Sequence, residues 1–214
     1  KSIGSSELIM SSLINKGNYY FNFGDYEKAM EDYLKVLNLA KKAKNKKREQ
    51  SALLNIALLK MQTNDFAGAN ELLQKSLIYI KNQQPRARHL RIYIALAKAA
   101  IGLENYEQAT LYCKIGLDLC ERLNEEEGKV YFYSFLTEVE TQYNNFEKAH
   151  EFIEKSLRIA ENLKTIDHEV PMLYIEKGTV YYEEEKYETA IEMLLKAETL
   201  MQENKLNFIK LEEA

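Results

Sequence analysis

The hexamer Gly24-Asp25-Tyr26-Glu27-Lys28-Ala29 returns, with substitutions, as Asn64-Asp65-Phe66-Ala67-Gly68-Ala69, Glu104-Asn105-Tyr106-Glu107-Gln108-Ala109, Asn144-Asn145-Phe146-Glu147-Lys148-Ala149 and Glu185-Lys186-Tyr187-Glu188-Thr189-Ala190. Its aromatic positions, 26, 66, 106, 146 and 187, recur every 40 or 41 residues. A fixed period of that size is the signature of a solenoid of stacked supersecondary units. Gly24, Asn64 and Asn144 tolerate the left-handed conformation that ends a helix, and Asp25, Asp65, Asn105 and Asn145 carry an oxygen able to cap the next helix. The hexamer therefore reads as a tight turn between two helices. Its aromatic is large enough to wedge between them, and its alanine is small enough to let them approach.

Outward from each turn the apolar residues keep helical spacing. Leu8, Ile9, Leu13, Ile14, Gly17, Tyr20 and Phe21 form the stripe of a first helix over about 5–22. Ala29, Tyr33, Val36, Leu37 and Ala40 face back from its partner over 25–43. The same reasoning predicts helices over 49–62 and 65–82, 86–102 and 105–122, 126–142 and 145–162, then from the Pro171 region to Glu184 and over 187–203. Pro85 and Pro171 suit a first helical turn, where a missing N–H costs nothing, with Asp167 the expected cap before Pro171. Lys205–Ala214, with Leu206, Phe208, Ile209 and Leu211, reads as the start of a further A helix, cut before its turn.

Five turns in register resemble the tetratricopeptide repeat, whose helix pair places a large residue, glycine and an aromatic ahead of Gly-Asp-Tyr-x-x-Ala. Leu13, Gly17, Tyr20 and Gly24–Ala29 supply this in the first copy, and Tyr174, Gly178, Tyr181 and Tyr187–Ala190 in the fifth. The middle copies depart from it, with Ala57, Ala97 and Thr137 for the glycine and Lys60, Ala100 and Glu140 for the second aromatic. The period also departs, being longer than the usual ~34 residues. Similar long variants occur in kinesin light chains, animal polarity adaptors, and bacterial transcription regulators and peptide receptors. The resemblance implies an all-α, right-handed superhelical solenoid: one domain over 1–214, repeats of roughly 5–44, 45–84, 85–124, 125–164 and 165–204, and part of a sixth. It also implies a protein- or peptide-binding module, expected to be the interaction or sensor domain of a larger signalling or transcription-regulatory protein. A structural self-association scaffold and part of a repeat-type response-regulator phosphatase are the rival readings; the phosphatase would need an N-terminal helical bundle.

Composition fits one continuous folded body. The 214 residues are 46% hydrophobic with only two prolines and eight glycines, which leaves no room for a flexible linker. No run approaches the ~18 apolar residues of a membrane span. Cys113 and Cys120 lie seven residues, or ~10.5 Å, apart on one predicted helix, too far for a disulfide. Free thiols fit a cytoplasmic setting. Residues 1–100 carry 17 Lys and Arg against 8 Asp and Glu, and residues 101–214 carry 12 against 25, so the net charge of −4 conceals a basic half and an acidic half. These charges either coat solvated faces or orient a partner and favour head-to-tail stacking. The basic run Lys41–Arg48 complements a helix C-terminus, and direct nucleic-acid binding is not expected.

No catalytic constellation is visible: there is no phosphate loop, dinucleotide fingerprint or Cys-x-x-Cys pair. His150-Glu151-Phe152-Ile153-Glu154 starts like a zinc-protease motif but ends in Glu where the second histidine ligand must stand. His89, His150 and His168 fall in different repeats. No enzyme activity, metal or cofactor is expected.

The resemblance implies that the first, or A, helix of each pair lines a concave face. Register from the turn alanine puts Ser11, Ile14, Asn18 and Phe21 there, then Ser51, Leu54, Leu58 and Met61, then Arg91, Ile94, Lys98 and Ile101, then Tyr131, Ser134, Glu138 and Thr141, then Met172, Ile175, Thr179 and Tyr182. Such an apolar face either packs on neighbouring A helices or takes an amphipathic or extended peptide. Some family members clamp a peptide's terminal carboxylates with Lys and Asn, then Asn, then Lys and Arg. The matching positions here are Ile14 and Asn18, Asn55, and Arg91 and Ala95. Two cations are absent, which argues against a chaperone tail as ligand, while the asparagines can still hold a peptide backbone. The candidate groove is thus Ile14, Asn18, Phe21, Leu54, Asn55, Leu58, Met61, Arg91, Ile94, Lys98 and Tyr131. The exposed end, through the apolar residues of 205–214, is a candidate surface for self-association.

Overall fold

The computed structural model describes residues 2–80, 83–84, 86–163 and 168–212, with side chains described from 6 to 203 within those ranges. Among the described residues the chain forms ten helices and no strand: α1 (Ser2–Asn22), α2 (Tyr26–Lys42), α3 (Lys46–Gln62), α4 (Phe66–Ile80), α5 (Ala87–Gly102), α6 (Tyr106–Leu123), α7 (Glu126–Gln142), α8 (Phe146–Asn162), α9 (Val170–Glu183) and α10 (Tyr187–Glu212). This is a helical solenoid of A/B pairs. Contacts gather the chain into two compact units, Lys1–Asn105 and Tyr106–Ala214, the first holding α1 to α5 and the second α6 to α10.

The five recurring turns are built alike. Gly24, Asn64, Glu104, Asn144 and Glu185 have φ between 55° and 77°, the left-handed region expected at three of them. The next residue in each case returns its N–H to the carbonyl five positions back, on Tyr20, Lys60, Ala100, Glu140 and Tyr181, at 2.8–2.9 Å. That closure satisfies carbonyls the ending helix would otherwise leave open. Glu104 and Glu185 take the conformation without glycine's freedom, as do Lys44 and Asn124 at junctions between pairs.

Capping follows the sequence in part. Asp25 Oδ1 accepts from the Lys28 N–H at 3.2 Å, and Asp65 Oδ1 from the Gly68 N–H at 2.8 Å. Asn145 makes no side-chain cap on α8, and its NH₂ group donates to Glu140 Oε2 at 2.8 Å. Asn45, not anticipated as a cap, accepts from the Arg48 N–H at 3.1 Å and starts α3.

The turn alanines at 29, 69, 109, 149 and 190 are at most 3% exposed, consistent with close helix approach. In unit 1, Met10, Val36, Ala40 and Ala52 form one core cluster and Ala29, Tyr33, Ile56 and Leu59 another. Gly17 is required between α1 and α2, since a Cβ there would lie 2.5 Å from the Tyr33 ring. Unit 2 packs Val130, Ile153, Leu157, Leu173, Tyr174 and Ala197 from α7 to α10. Gly116 likewise lets α6 lie against the fully buried Phe132, whose ring would stand 2.1 Å from an added Cβ.

One expectation changes. Residues 205–212 do not begin a separate A helix, because α10 continues unbroken from Tyr187 to Glu212. The segment contains no glycine or proline and no turn hexamer, so nothing stops the helix. The side chains of Leu206, Phe208, Ile209 and Leu211 lie outside the described residues, as do Pro85 and Asp167. Pro171 sits in the first turn of α9, where it costs no hydrogen bond.

Candidate peptide-binding face

The A helices α1, α3 and α5 of unit 1 lie side by side, and between them opens a cleft of 230 Å³ lined by Asn18, Phe21, Asn22, Tyr33, Asn55, Leu58 and Arg91. Five of these seven belong to the face expected from sequence. Tyr33 and Asn22 were missed, Tyr33 because it belongs to a B helix and only the glycine at 17 lets its ring reach through. A 60 Å³ depression shares Asn55 and Arg91 and is completed by Gln50, Ser51, Leu54, Arg88 and Ile92.

The polar groups at the cleft are arranged, not random. The buried Tyr33 hydroxyl donates to Asn18 Oδ1 at 2.8 Å, and the Asn55 amide approaches the same oxygen at 3.5 Å. Burial pushes the Tyr33 phenol up, which keeps it a donor. With Asn18 Oδ1 taken, the Asn18 NH₂ and the Asn55 carbonyl have no partner among the described residues. One is a donor and the other an acceptor, the pair a peptide backbone needs. Arg91 and Lys98 on α5 are exposed and make no ion pair among the described residues. Arg48, by contrast, is committed to Glu7 and Ser11 of α1 at 2.6 Å.

Other expected groove positions fall differently. Leu54 and Met61 are each 6% exposed and Thr141 equally buried, so the open stripe is narrower than the register suggested. Stacking of one A helix on the next covers the flank of each stripe. Ile14 and Phe21 are half-buried against the unit 1 core clusters, and Ile94 and Leu58 are half-exposed. Tyr131 belongs to unit 2, where its hydroxyl donates to Glu169 at 3.0 Å; burial first, then Glu169, push its phenol up to about 12.

His150 is not on a solvated face: it is 24% exposed, bonds Glu184 at 2.9 Å and lies against Tyr181. Among the described residues no three His, Cys, Asp or Glu side chains form a metal-holding group. No described helix is long and apolar enough to cross a membrane. Cys113 and Cys120 are free and buried.

Paired helices recurring along the chain define a helical repeat array. The tetratricopeptide-repeat family model matches residues 11–42 and 173–204, the first and last helix pairs. Those two helix pairs match the tetratricopeptide repeat, and the turns between them recur every 40 or 41 residues along the chain. Comparison with curated protein sequences gives no significant match. Solved structures agree on the fold. BtubC from P. vanneervenii is 20% identical, with a TM-score of 0.72 over 88% of this chain and 78% of its own. A Rap protein complexed with Competence and Sporulation Factor is 15% identical, with a TM-score of 0.77 over 92% of this chain and 56% of its own. A kinesin-light-chain-like repeat protein of Podosopora anserina is 15% identical, with a TM-score of 0.72 over 94% of this chain and 97% of its own.

Proposed function

We propose that unit 1 binds an extended peptide segment along α1, α3 and α5, and that the chain serves as the recognition part of a cytoplasmic signalling or regulatory protein without itself being catalytic. The observation that carries this reading is the pairing of a free amide donor on Asn18 with a free carbonyl acceptor on Asn55 at one cleft, with Tyr33 fixing the donor's orientation. Leu58 and Ile94 offer half-exposed apolar surface to the ligand's side chains, and Arg91 and Lys98 favour an acidic group on it. A Rap protein of this fold is solved complexed with Competence and Sporulation Factor, which supports reading the array as a binding scaffold.

The test is a peptide array probed with the full chain, followed by titration of the best binder against variants that retain helicity. Asn18→Ala and Asn55→Ala should each weaken binding by about 0.5 to 1.5 kcal/mol, and Leu58→Asp by more. Affinity indifferent to Asn18, Asn55, Leu58 and Arg91 together rules the cleft out.

A second reading, self-association, is favoured by one observation: Ile191, Leu194 and Leu195 on α10 are 57%, 45% and 56% exposed. Light scattering should then show concentration-dependent dimers lost in Ile191→Glu.

A further inference from the structure

We infer that the A-helix face of unit 2 holds a site for one cationic group, a guanidinium or an ammonium, which takes Glu176 as its counter-charge, the Glu176 carboxyl being held in place by a hydrogen bond from Ser134. The inference concerns α7 and α9 and does not rest on the unit 1 cleft. Ser134 Oγ of α7 donates to Glu176 Oε2 of α9 at 2.7 Å. The other carboxyl oxygen, Oε1, is shut off from solvent and has no hydrogen-bond partner among the described residues. The residue as a whole is partly exposed although its carboxyl is buried.

The neighbouring cations are turned elsewhere. Lys177, next along α9, is bonded to Glu154 of α8. Lys196 of α10 reaches the Tyr174 hydroxyl at 2.5 Å. The charged group of α7 that acts on Glu176 is another carboxylate, Glu138. Burial, with the Glu138 charge adding to it, pushes the Glu176 carboxyl up to about 8 against the pull of the Ser134 hydrogen bond. A buried acceptor without a partner is rare in folded proteins, and where it occurs it calls for an explanation. A cation supplies one: it pairs with the unpartnered oxygen, makes the ionised form stable, and expels the carboxyl proton to solvent. A guanidinium, with parallel N–H donors, suits the two oxygens best.

The test uses the full chain, with its glutamate carboxyls labelled with carbon-13, titrated with pH by NMR. The probes are Nα-acetyl-arginine amide, Nα-acetyl-lysine amide and glycinamide, with Nα-acetyl-norleucine amide as the neutral control. Free protein should show Glu176 titrating near 8. A cationic probe should lower that midpoint by about two pH units or more, whereas the neutral control leaves it in place. Calorimetry at pH 7 in buffers of different ionisation enthalpy should find about one proton released per probe bound. Response to arginine or lysine amide assigns the site to a side chain, and response to glycinamide alone assigns it to a chain's amino terminus. Glu176→Gln should weaken binding about tenfold or more and abolish proton release. A Glu176 midpoint unmoved by all three cations overturns the inference, as does equal binding by Glu176→Gln; the first result is read on the wild-type chain and needs no variant to fold.

Discussion

At the scale of single residues, the folded state depends on a few tightly constrained contacts. Gly17 is one: Gly17→Ala drives a methyl into the Tyr33 ring, and overpacking of this kind costs about 1 to 3 kcal/mol. Because Tyr33 also orients Asn18, the same substitution should weaken peptide binding, measured by anisotropy on the folded variant. Glu176 gives the chain a pH signature. Its carboxyl is raised from 4.5 to about 8, so the folded state holds a proton that the unfolded state has already lost above about pH 5. Stability from this group is complete below pH 4.5 and is lost as pH rises to about 8, at up to about 1.4 kcal/mol per pH unit. Denaturant midpoints of Glu176→Gln should lack that decline and exceed wild type at pH 8. Burial pushes Cys113 up to about 12, so a thiol reagent should label it only as fast as the chain opens.

At the scale of elements, the helix pairs were legible because each turn writes its chemistry locally. Gly24, Asn64 and Asn144 announce the left-handed residue, and the alanine five places on announces the crossing. Glu104 and Glu185 hid the same turn behind a residue that does not favour it, and only their place in the repeat gave them away. Glu104→Gly should therefore stabilise the chain by up to about 1 kcal/mol, less the entropy glycine adds to the unfolded state; a lowered melting temperature would mean the glutamate side chain contributes more than its backbone costs. Asn45→Ala removes the cap of α3 and should cost about 1 kcal/mol. What the sequence did not reveal was the width of the open stripe. Helical spacing places Leu54, Leu58 and Met61 on one face, but how far the next helix covers that face depends on crossing geometry, and Leu54 and Met61 were lost to the core. Nor could spacing single out Glu176 from 33 acidic residues, since its distinction is burial.

At the scale of the whole molecule, repetition makes most of the sequence a statement about stacking, and function collects where the repeats differ. Asn18 and Arg91 occupy places where the other copies carry different side chains, and with Asn55 they converge from neighbouring A helices on one cleft in unit 1. If Arg91 and Lys98 attract an acidic ligand, its affinity should fall as salt rises, most steeply for ligands with the most acidic residues. The most direct measurement is site-specific photo-cross-linking of an array-selected peptide, with a photoreactive residue placed at Leu58 in the cleft or at Ile78, which is 74% exposed on α4. The account predicts cross-links from position 58 that excess unlabelled peptide suppresses, and none from position 78; cross-linking from 78 with none from 58 would contradict it.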